Sequence, residues 1–250
     1  MSTNNQATLE SMASDGELAS LAKQLLIRSA GFKYSYNFTW LGRPIIQYPQ
    51  DIVAMQEILW AVKPDLVIET GIAHGGSLIF HASILELIGG EGRVLGIDVD
   101  IRSHNREEIE RHPMFKRIDM IQGSSIEPSI VEEVRKRAAG KRNVLVVLDS
   151  NHTHAHVLAE LHAYAPLVAV GSYCAVLDTV IEDFPPGYFR DRPWDRGNNP
   201  KTAVREYLGQ SEAGALRDIA GKSLRFAVDS EYDKKLLVTV APQGYLKRIA

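Results

Sequence analysis

A glycine-rich loop at residues 69–77 is the first segment whose residue types could do chemistry, and it follows an apolar run at residues 66–68. Within this glycine loop, Gly71 permits a tight turn, while Gly75 and Gly76 let the backbone approach a ligand closely. The loop has neither the G-x-G-x-x-G spacing of dinucleotide-binding folds nor the Lys-Ser/Thr ending of a P-loop. It fits a nucleotide-like ligand without a pyrophosphate, although a plain turn between a strand and a helix also accounts for these residues.

A second candidate, Asp98, follows the apolar run that ends at residue 97. A carboxylate at a strand end can accept hydrogen bonds from both hydroxyls of a ribose. A turn or helix-capping aspartate is the alternative, but the preceding glycine loop favours ribose binding. Ser124, in the Gly-Ser-Ser segment that follows a third predicted strand at residues 119–122, is placed to border an adenine. The candidate residues for this ligand are Glu69, Gly71, Gly75, Ser77, Asp98 and Ser124.

The elements that must position these residues alternate between strands and helices. Apolar runs predict strands at residues 66–68, 93–97, 119–122, 144–148 and 171–177. Helical patterns predict helices at residues 17–28, 50–62, 78–88, 129–139, 155–165 and 201–208. The alternation predicts an α/β fold with a doubly wound, mostly parallel, Rossmann-like sheet. Residues 224–228 and 236–240 predict an antiparallel pair of strands at the sheet edge near the C-terminus.

The chain is expected to divide into an N-terminal helix with an aromatic segment, residues 1–48, and a Rossmann-like domain, residues 49–250. The aromatic segment contains Tyr34, Tyr36, Phe38, Trp40 and Tyr48. These rings could fill the core, form a lid over a ligand pocket, or contact a second subunit of a homo-oligomer. Residues 185–200 form a long Pro- and Arg-containing loop, which is either solvated or a second lid.

Composition excludes several classes of protein. A net charge of −3 gives no sign of a surface built for nucleic acid. No apolar run reaches the roughly 20 residues that span a bilayer, and the polar N-terminus lacks the order of a secretory signal. The single cysteine, Cys174, excludes an intrachain disulfide. We therefore expect a cytoplasmic protein without a nucleic-acid partner or a membrane span.

Three motifs give the chain a family resemblance: V-I-E-T-G-I-A-H-G-G-S at 67–77, V-L-D-S-N-H-T-H-A-H-V-L-A-E-L at 147–161 and G-Y-L-K-R-I at 244–249. The chain resembles class I methyltransferases. More narrowly, from about residue 36 to the C-terminus, it is similar to the cephalosporin hydroxylase/rhamnosyl O-methyltransferase family. The resemblance implies methyl transfer from S-adenosylmethionine to a hydroxyl of a small molecule, a sugar or a natural-product intermediate. It also implies a divalent metal, Mg²⁺, near the methyl donor.

The resemblance implies roles for three further residues. Family members carry D-x-x-H after the strand at 144–148, which matches Asp149 as a metal ligand and His152 as the general base. Asp178, at the end of the neighbouring strand, supplies a second carboxylate to the metal. Such a metal would lower the pKa of an acceptor hydroxyl, and a histidine would take its proton.

The chain departs from the family pattern at one position. Many relatives have Glu-Asp where this chain has Leu177-Asp178, so one metal ligand is missing. Either water, Glu182 or Asp183 completes the site, or the site is weakened. The alternative function is a nucleotide-binding or partner protein of the same fold that has lost methyl transfer. A zinc site at His152 and His156 is disfavoured, since no H-E-x-x-H glutamate or nearby cysteine accompanies them.

Overall fold

The computed structural model describes residues 3–250, with side chains from residue 5 onward. Its helices are α1 (Thr3–Ser14), α2 (Gly16–Ala30), α3 (Pro49–Val62), α4 (Gly76–Ile88), α5 (Ser103–Arg111), α6 (Pro128–Ala138), α7 (His154–Tyr164), α8 (Pro200–Glu212) and α9 (Ser230–Lys235). Its strands are β1 (Thr39–Trp40), β2 (Arg43–Pro44), β3 (Leu66–Thr70), β4 (Arg93–Asp98), β5 (Ile118–Gln122), β6 (Val144–Leu148), β7 (Tyr173–Val176), β8 (Phe226–Val228) and β9 (Tyr245–Arg248). Within these described residues, every helix is too short or too polar to cross a bilayer.

The main sheet has the strand order β5-β4-β3-β6-β7-β9-β8. The five strands from β5 to β7 pair in parallel, and β9 runs antiparallel between β7 and β8. This arrangement confirms the predicted doubly wound sheet with an antiparallel edge. The carboxyl ends of β3, β4, β5, β6 and β7 consequently lie along one edge, which is where ligands bind in open α/β sheets.

Helices cover both faces of the sheet, because residues of each strand alternate between two cores. In β6, Leu145 and Val147 contact the core under α3 and α4, while Val144, Val146 and Leu148 contact the core under α6, α7 and α8. All five β6 residues are therefore buried, as the continuous apolar run predicts.

One predicted strand is wrong. Residues 236–240 do not form a strand, and the antiparallel partner of β8 is instead β9. The reason lies in the backbone of Val240, whose N–H donates to the Asp51 carboxylate (2.9 Å) and whose carbonyl accepts from Val180 N (3.1 Å). Because this N–H and this carbonyl already bind α3 and the loop after β7, they are not available to pair with a neighbouring strand.

Candidate functional site

The glycine loop connects β3 to α4 and is enclosed by the protein's own backbone. Gly71 has φ +90°, and a Cβ atom there would lie 2.7 Å from the carbonyl carbon of Asp149. A Cβ atom at Gly76 would lie 2.6 Å from the carbonyl carbon of Pro44 in β2. The sequence assigns Gly71 to a tight turn and Gly76 to a ligand's approach, whereas at both positions the close neighbour is backbone from elsewhere in the chain. Gly75 ends the loop in the left-handed region and precedes α4.

Asp98 reaches from the end of β4 to the glycine loop. Its Oδ2 accepts hydrogen bonds from the backbone N–H of Ile72 (2.8 Å) and Ala73 (3.3 Å), and its Oδ1 accepts from Asp100 N (3.0 Å). A carboxylate offers about four acceptor positions, so three of them already hold the protein backbone. Asp98 thus fixes the loop conformation, and its role as a ribose ligand stays a prediction.

Glu69 lies in the interior behind the loop, where it is 1% exposed. Its carboxylate accepts a hydrogen bond from the Ser77 hydroxyl, and its Oε2 lies 2.9 Å from His81 Nδ1. The two predicted ligand residues Glu69 and Ser77 are therefore bonded to each other. This contact ties the end of β3 to the first turn of α4.

Two residues that the sequence did not single out hold the loop from its outer side. Arg43 donates from Nη2 (2.6 Å) and Nε (3.1 Å) to the carbonyl oxygen of His74. Asn105 in α5 donates to the carbonyl oxygen of Ala73 (2.9 Å) and accepts from Arg43 (3.2 Å). The segment before α3 thereby forms one wall of the loop.

Asp149, His152 and Asp178 come together at the edge of the sheet, as the sequence predicts for residues at neighbouring strand ends. One potential ligand atom from each lies within 4.8 Å of the others, and His152 Nε2 is 3.1 Å from Asp178 Oδ2. Burial raises the pKa of Asp149 well above its usual range, and the carboxylates of Asp178, Glu69 and Glu160 raise it further. This Asp–His–Asp cluster concentrates negative charge with hard oxygen donors, which suits a divalent cation.

The residue before Asp178 adds no ligand to this cluster, although the family resemblance implies a glutamate there. Leu177 is 6% exposed and belongs to the core under α3 and α4. The two acidic residues that follow do not replace it: Glu182 accepts from Gly197 N (2.8 Å) and Asn199 Nδ2 (2.5 Å), and Asp183 pairs with Lys201 (2.7 Å). Both carboxylates serve to hold the start of α8.

An aromatic groove with a volume of about 290 Å³ opens beside the cluster. Its wall includes His152, Asp178, Lys33 and Arg192, together with the rings Tyr36, Tyr48, Phe184, Tyr188, Phe189 and Trp194. Trp194 meets the His152 ring edge-on at 4.7 Å between centroids. The loop at 185–200 thus contributes a wall of the groove.

The aromatic segment divides between two of the predicted roles. Trp40 packs edge-on against Phe80 at 4.9 Å and donates to Ser83 Oγ (2.9 Å), so it belongs to the core on α4. Tyr36 lines the aromatic groove, and Tyr48 both lines it and packs in a small core cluster beneath it. The pattern of aromatic residues contains no signal that separates these positions.

The remaining histidines of the 147–161 motif make polar contacts. His156 Nε2 lies 3.1 Å from Ser125 Oγ and 3.2 Å from Ser150 Oγ, and Ser150 donates to the buried Glu160 (2.7 Å). Within residues 3–250, the only histidine in a metal-suited group of this kind is His152. Ser124 lies half-buried beside this network at the end of β5.

A small buried cavity of about 30 Å³ lies behind the cluster, on the α3 side of the sheet. Asp51, Glu69, Gln47 and Leu177 all line it. Asp51 accepts hydrogen bonds from Tyr245 OH (2.8 Å) and Val240 N (2.9 Å), but burial still raises its pKa to about 6. The cavity therefore has two carboxylates in its wall, and neither is apparent from sequence spacing.

Fold and site define a methyltransferase of Rossmann-like architecture, and comparison with known proteins gives the family. The family model for rhamnosyl O-methyltransferase/CmcI matches residues 32–249. The chain belongs to this family. Membership confirms the expected enzyme class, an S-adenosylmethionine-dependent O-methyltransferase.

The similar sequences and structures agree with this membership. Rhamnosyl O-methyltransferase of Mycobacterium tuberculosis is 30% identical over 216 residues, covering 84% of this chain and 78% of that protein. The Mycobacterium leprae enzyme of the same name is 30% identical over 217 residues, covering 84% and 82%. A CmcI structure with Mg and SAM has a TM-score of 0.57 at 19% identity, covering 86% of this chain and 78% of that one. MycE methyltransferase of the mycinamycin pathway, in complex with Mg, SAH and mycinamycin VI, has a TM-score of 0.51 at 17% identity, covering 89% and 54%.

Proposed function

We propose that this chain transfers the methyl group of S-adenosylmethionine to a hydroxyl of a sugar or glycosylated natural product. The observation that carries the proposal is the position of the Asp–His–Asp cluster. Asp149 contacts the glycine loop through its backbone, whereas His152 and Asp178 line the aromatic groove. A donor beside the loop and an acceptor in the groove would meet at the cluster.

The donor site lies at the carboxyl ends of β3, β4 and β5. With three acceptor positions of Asp98 held by backbone N–H groups, about one remains for a ribose hydroxyl. Ser124 at the end of β5 borders the adenine in this proposal. Glu69 and Ser77 act from behind the loop, by holding β3 against α4.

The acceptor lies in the aromatic groove, whose rings offer apolar faces to a sugar. During transfer the S–CH₃ bond breaks, an O–CH₃ bond forms, the hydroxyl proton passes to the imidazole of His152, and S-adenosylhomocysteine leaves. Asp178, 3.1 Å from His152 Nε2, offsets the positive charge that the ring gains. Trp194 holds the ring at its edge.

The residues at the cluster fit a divalent ion. Asp149 and Asp178 would hold it through carboxylate oxygens. Burial raises the pKa of Asp149, and the nearby carboxylates of Asp178, Glu69 and Glu160 raise it further, so a cation bound there would favour the ionised form. Mg²⁺ bound there would lower the pKa of an acceptor hydroxyl.

Residues 1–48 provide a wall of the acceptor site in this proposal, through Tyr36, Tyr48 and Lys33. The loop at 185–200 provides the facing wall through Trp194 and Arg192. Because loops of this kind vary in sequence between relatives, they are the parts that select the acceptor.

The donor claim is tested by calorimetry with S-adenosylmethionine. Asp98→Asn keeps an oxygen for the loop N–H groups but loses the charge, and a hydrogen bond to a charged group contributes about 1.5–3 kcal/mol. We therefore expect donor affinity to fall about 10- to 100-fold, while Asp100→Asn, at an exposed position two residues on, leaves it unchanged. Absence of donor binding by the wild type would refute the proposal.

The base is tested by turnover with rhamnosyl glycosides, followed as methyl incorporation by mass spectrometry. His152→Ala should lower turnover by about 10²–10⁴-fold and leave donor affinity nearly intact. His104→Ala, at an exposed position on α5, is the matched control. Equal turnover in wild type and His152→Ala would place the base elsewhere. Donor binding without transfer to any glycoside would favour the alternative, a partner protein.

A further inference from the structure

Gln47 is a buried glutamine beside the Asp–His–Asp cluster, two residues before α3 begins at Pro49. It is 9% exposed, and its Nε2 lies 3.4 Å from Asp149 Oδ2. This hydrogen bond is at the long limit of the usual range. Its Oε1 is buried without a hydrogen-bond partner. A buried amide oxygen of this kind costs free energy unless a donor or a cation binds it.

The surroundings of Gln47 favour the opposite orientation of the amide. Gln47 lines the buried cavity whose wall contains the carboxylates of Asp51 and Glu69. Carboxylates accept hydrogen bonds, so the NH₂ group is the half of the amide that suits the cavity side. A half-turn about the Cγ–Cδ bond would place the oxygen where Nε2 now lies, beside Asp149. Two oxygens facing each other there need a proton or a cation between them, and Mg²⁺ at the cluster would be such a cation.

We infer that the amide oxygen of Gln47 is a ligand of the divalent ion, in the place left by the missing glutamate at Leu177. The inference rests on the proposed metal-assisted function. Leu177 and Gln47 line the same cavity, so the two positions border one space. Together with Asp149 and Asp178, the amide gives three oxygen donors. The two carboxylates carry a formal charge of −2, which balances a divalent ion.

A neutral ligand also explains how the position of Leu177 can be apolar. A third carboxylate at residue 177 would join Asp51 and Glu69 on the wall of the small cavity, where like charges repel. An amide supplies the oxygen without the charge. The expected site therefore binds metal more weakly than a three-carboxylate site, but remains stable without it.

The test measures Mn²⁺ binding to the purified full chain by electron paramagnetic resonance, with Mn²⁺ as a probe for Mg²⁺. Gln47→Ala should weaken Mn²⁺ binding at least tenfold, whereas Gln50→Ala, an exposed glutamine in the first turn of α3, should bind like the wild type. Circular dichroism of each variant checks the fold. Unchanged Mn²⁺ affinity in Gln47→Ala would overturn the inference.

A second variant separates a metal ligand from a residue that merely donates to Asp149. Gln47→Glu has the same size and should tighten Mn²⁺ binding if the side chain is a ligand. Unchanged or weaker Mn²⁺ binding in Gln47→Glu would contradict the inference. Leu177→Glu should restore Mn²⁺ affinity in the Gln47→Ala background.

The wild type distinguishes failure of this inference from failure of the proposed function. Wild-type protein that transfers methyl groups but binds no Mn²⁺ overturns the role of Gln47 and leaves methyl transfer standing. If the wild type and every Gln47 variant bind Mn²⁺ equally well, only the assignment of Gln47 as a ligand is overturned. Methyl transfer itself is measured separately, with rhamnosyl glycosides as acceptors.

Discussion

Gly71→Ala adds one methyl group where the ends of β3 and β6 touch. The residue has φ +90°, a conformation that costs an L-residue roughly 1–2 kcal/mol. The added Cβ would also lie 2.7 Å from the carbonyl carbon of Asp149, so backbone meets backbone and no rotamer relieves the overlap. Overpacking of this kind costs about 1–3 kcal/mol. We expect the free energy of unfolding to fall by about 2–5 kcal/mol in total.

Gly171→Ala is the matched control for this substitution. Gly171 has φ +84°, but a Cβ atom there has no atom within 4 Å, so only the backbone strain of roughly 1–2 kcal/mol applies. Urea unfolding of the two variants therefore isolates the overlap with Asp149. Calorimetry should show weaker donor binding in Gly71→Ala alone. Equal losses of stability in the two variants would refute the close contact between the glycine loop and the cluster.

Two further predictions concern stability. Because burial raises the pKa of Asp51 to about 6, its folding contribution is complete below about pH 4 and is lost as the pH rises through about 6, on the order of 3 kcal/mol. Urea unfolding between pH 4 and 7 should therefore show this slope in wild type and not in Asp51→Asn; identical slopes would show that Asp51 is ionised throughout. Trp40→Phe removes the hydrogen bond to Ser83 (2.9 Å) and should cost about 1 kcal/mol. Trp60→Phe, at a position 53% exposed, should cost close to nothing, and equal costs would contradict the buried role of Trp40.

The parallel part of the sheet could be predicted because its strands are short apolar runs bounded by turns. The antiparallel strand could not. Residues 236–240 are more apolar than Tyr245–Arg248, yet a side chain 189 positions away in sequence, Asp51, binds the backbone of Val240. A pattern of local hydrophobicity contains no information on such a partner. Helix α5 was not predicted for a related reason: Ile109 is the one apolar residue among its nine, so the helix has no hydrophobic periodicity.

The candidate site was predictable only where its residues end strands. Asp98, Asp149 and Asp178 follow apolar runs, and parallel strands bring their ends to one edge. Gln47 and Arg43 belong to a segment without periodicity, and they reach the site from far away in sequence: Gln47 is 102 residues from Asp149. Their only signal is a polar side chain between apolar neighbours, which many surface segments share.

Asp149 contacts both the glycine loop, where the donor is proposed to bind, and the proposed metal site, and it does so through different atoms. Its backbone N–H donates to Thr70 (2.9 Å), its backbone carbonyl lies against Gly71, and its carboxylate contacts Gln47. A shift of the glycine loop on donor binding must therefore move the carboxylate that would hold the metal. Sites joined in this way affect each other reciprocally, so a donor that tightens metal binding is itself bound more tightly by the same factor when metal is present. With Leu177 in the place where the resemblance implies a glutamate, the cluster has fewer fixed charges of its own, and we predict that its metal affinity would depend more strongly on that loop.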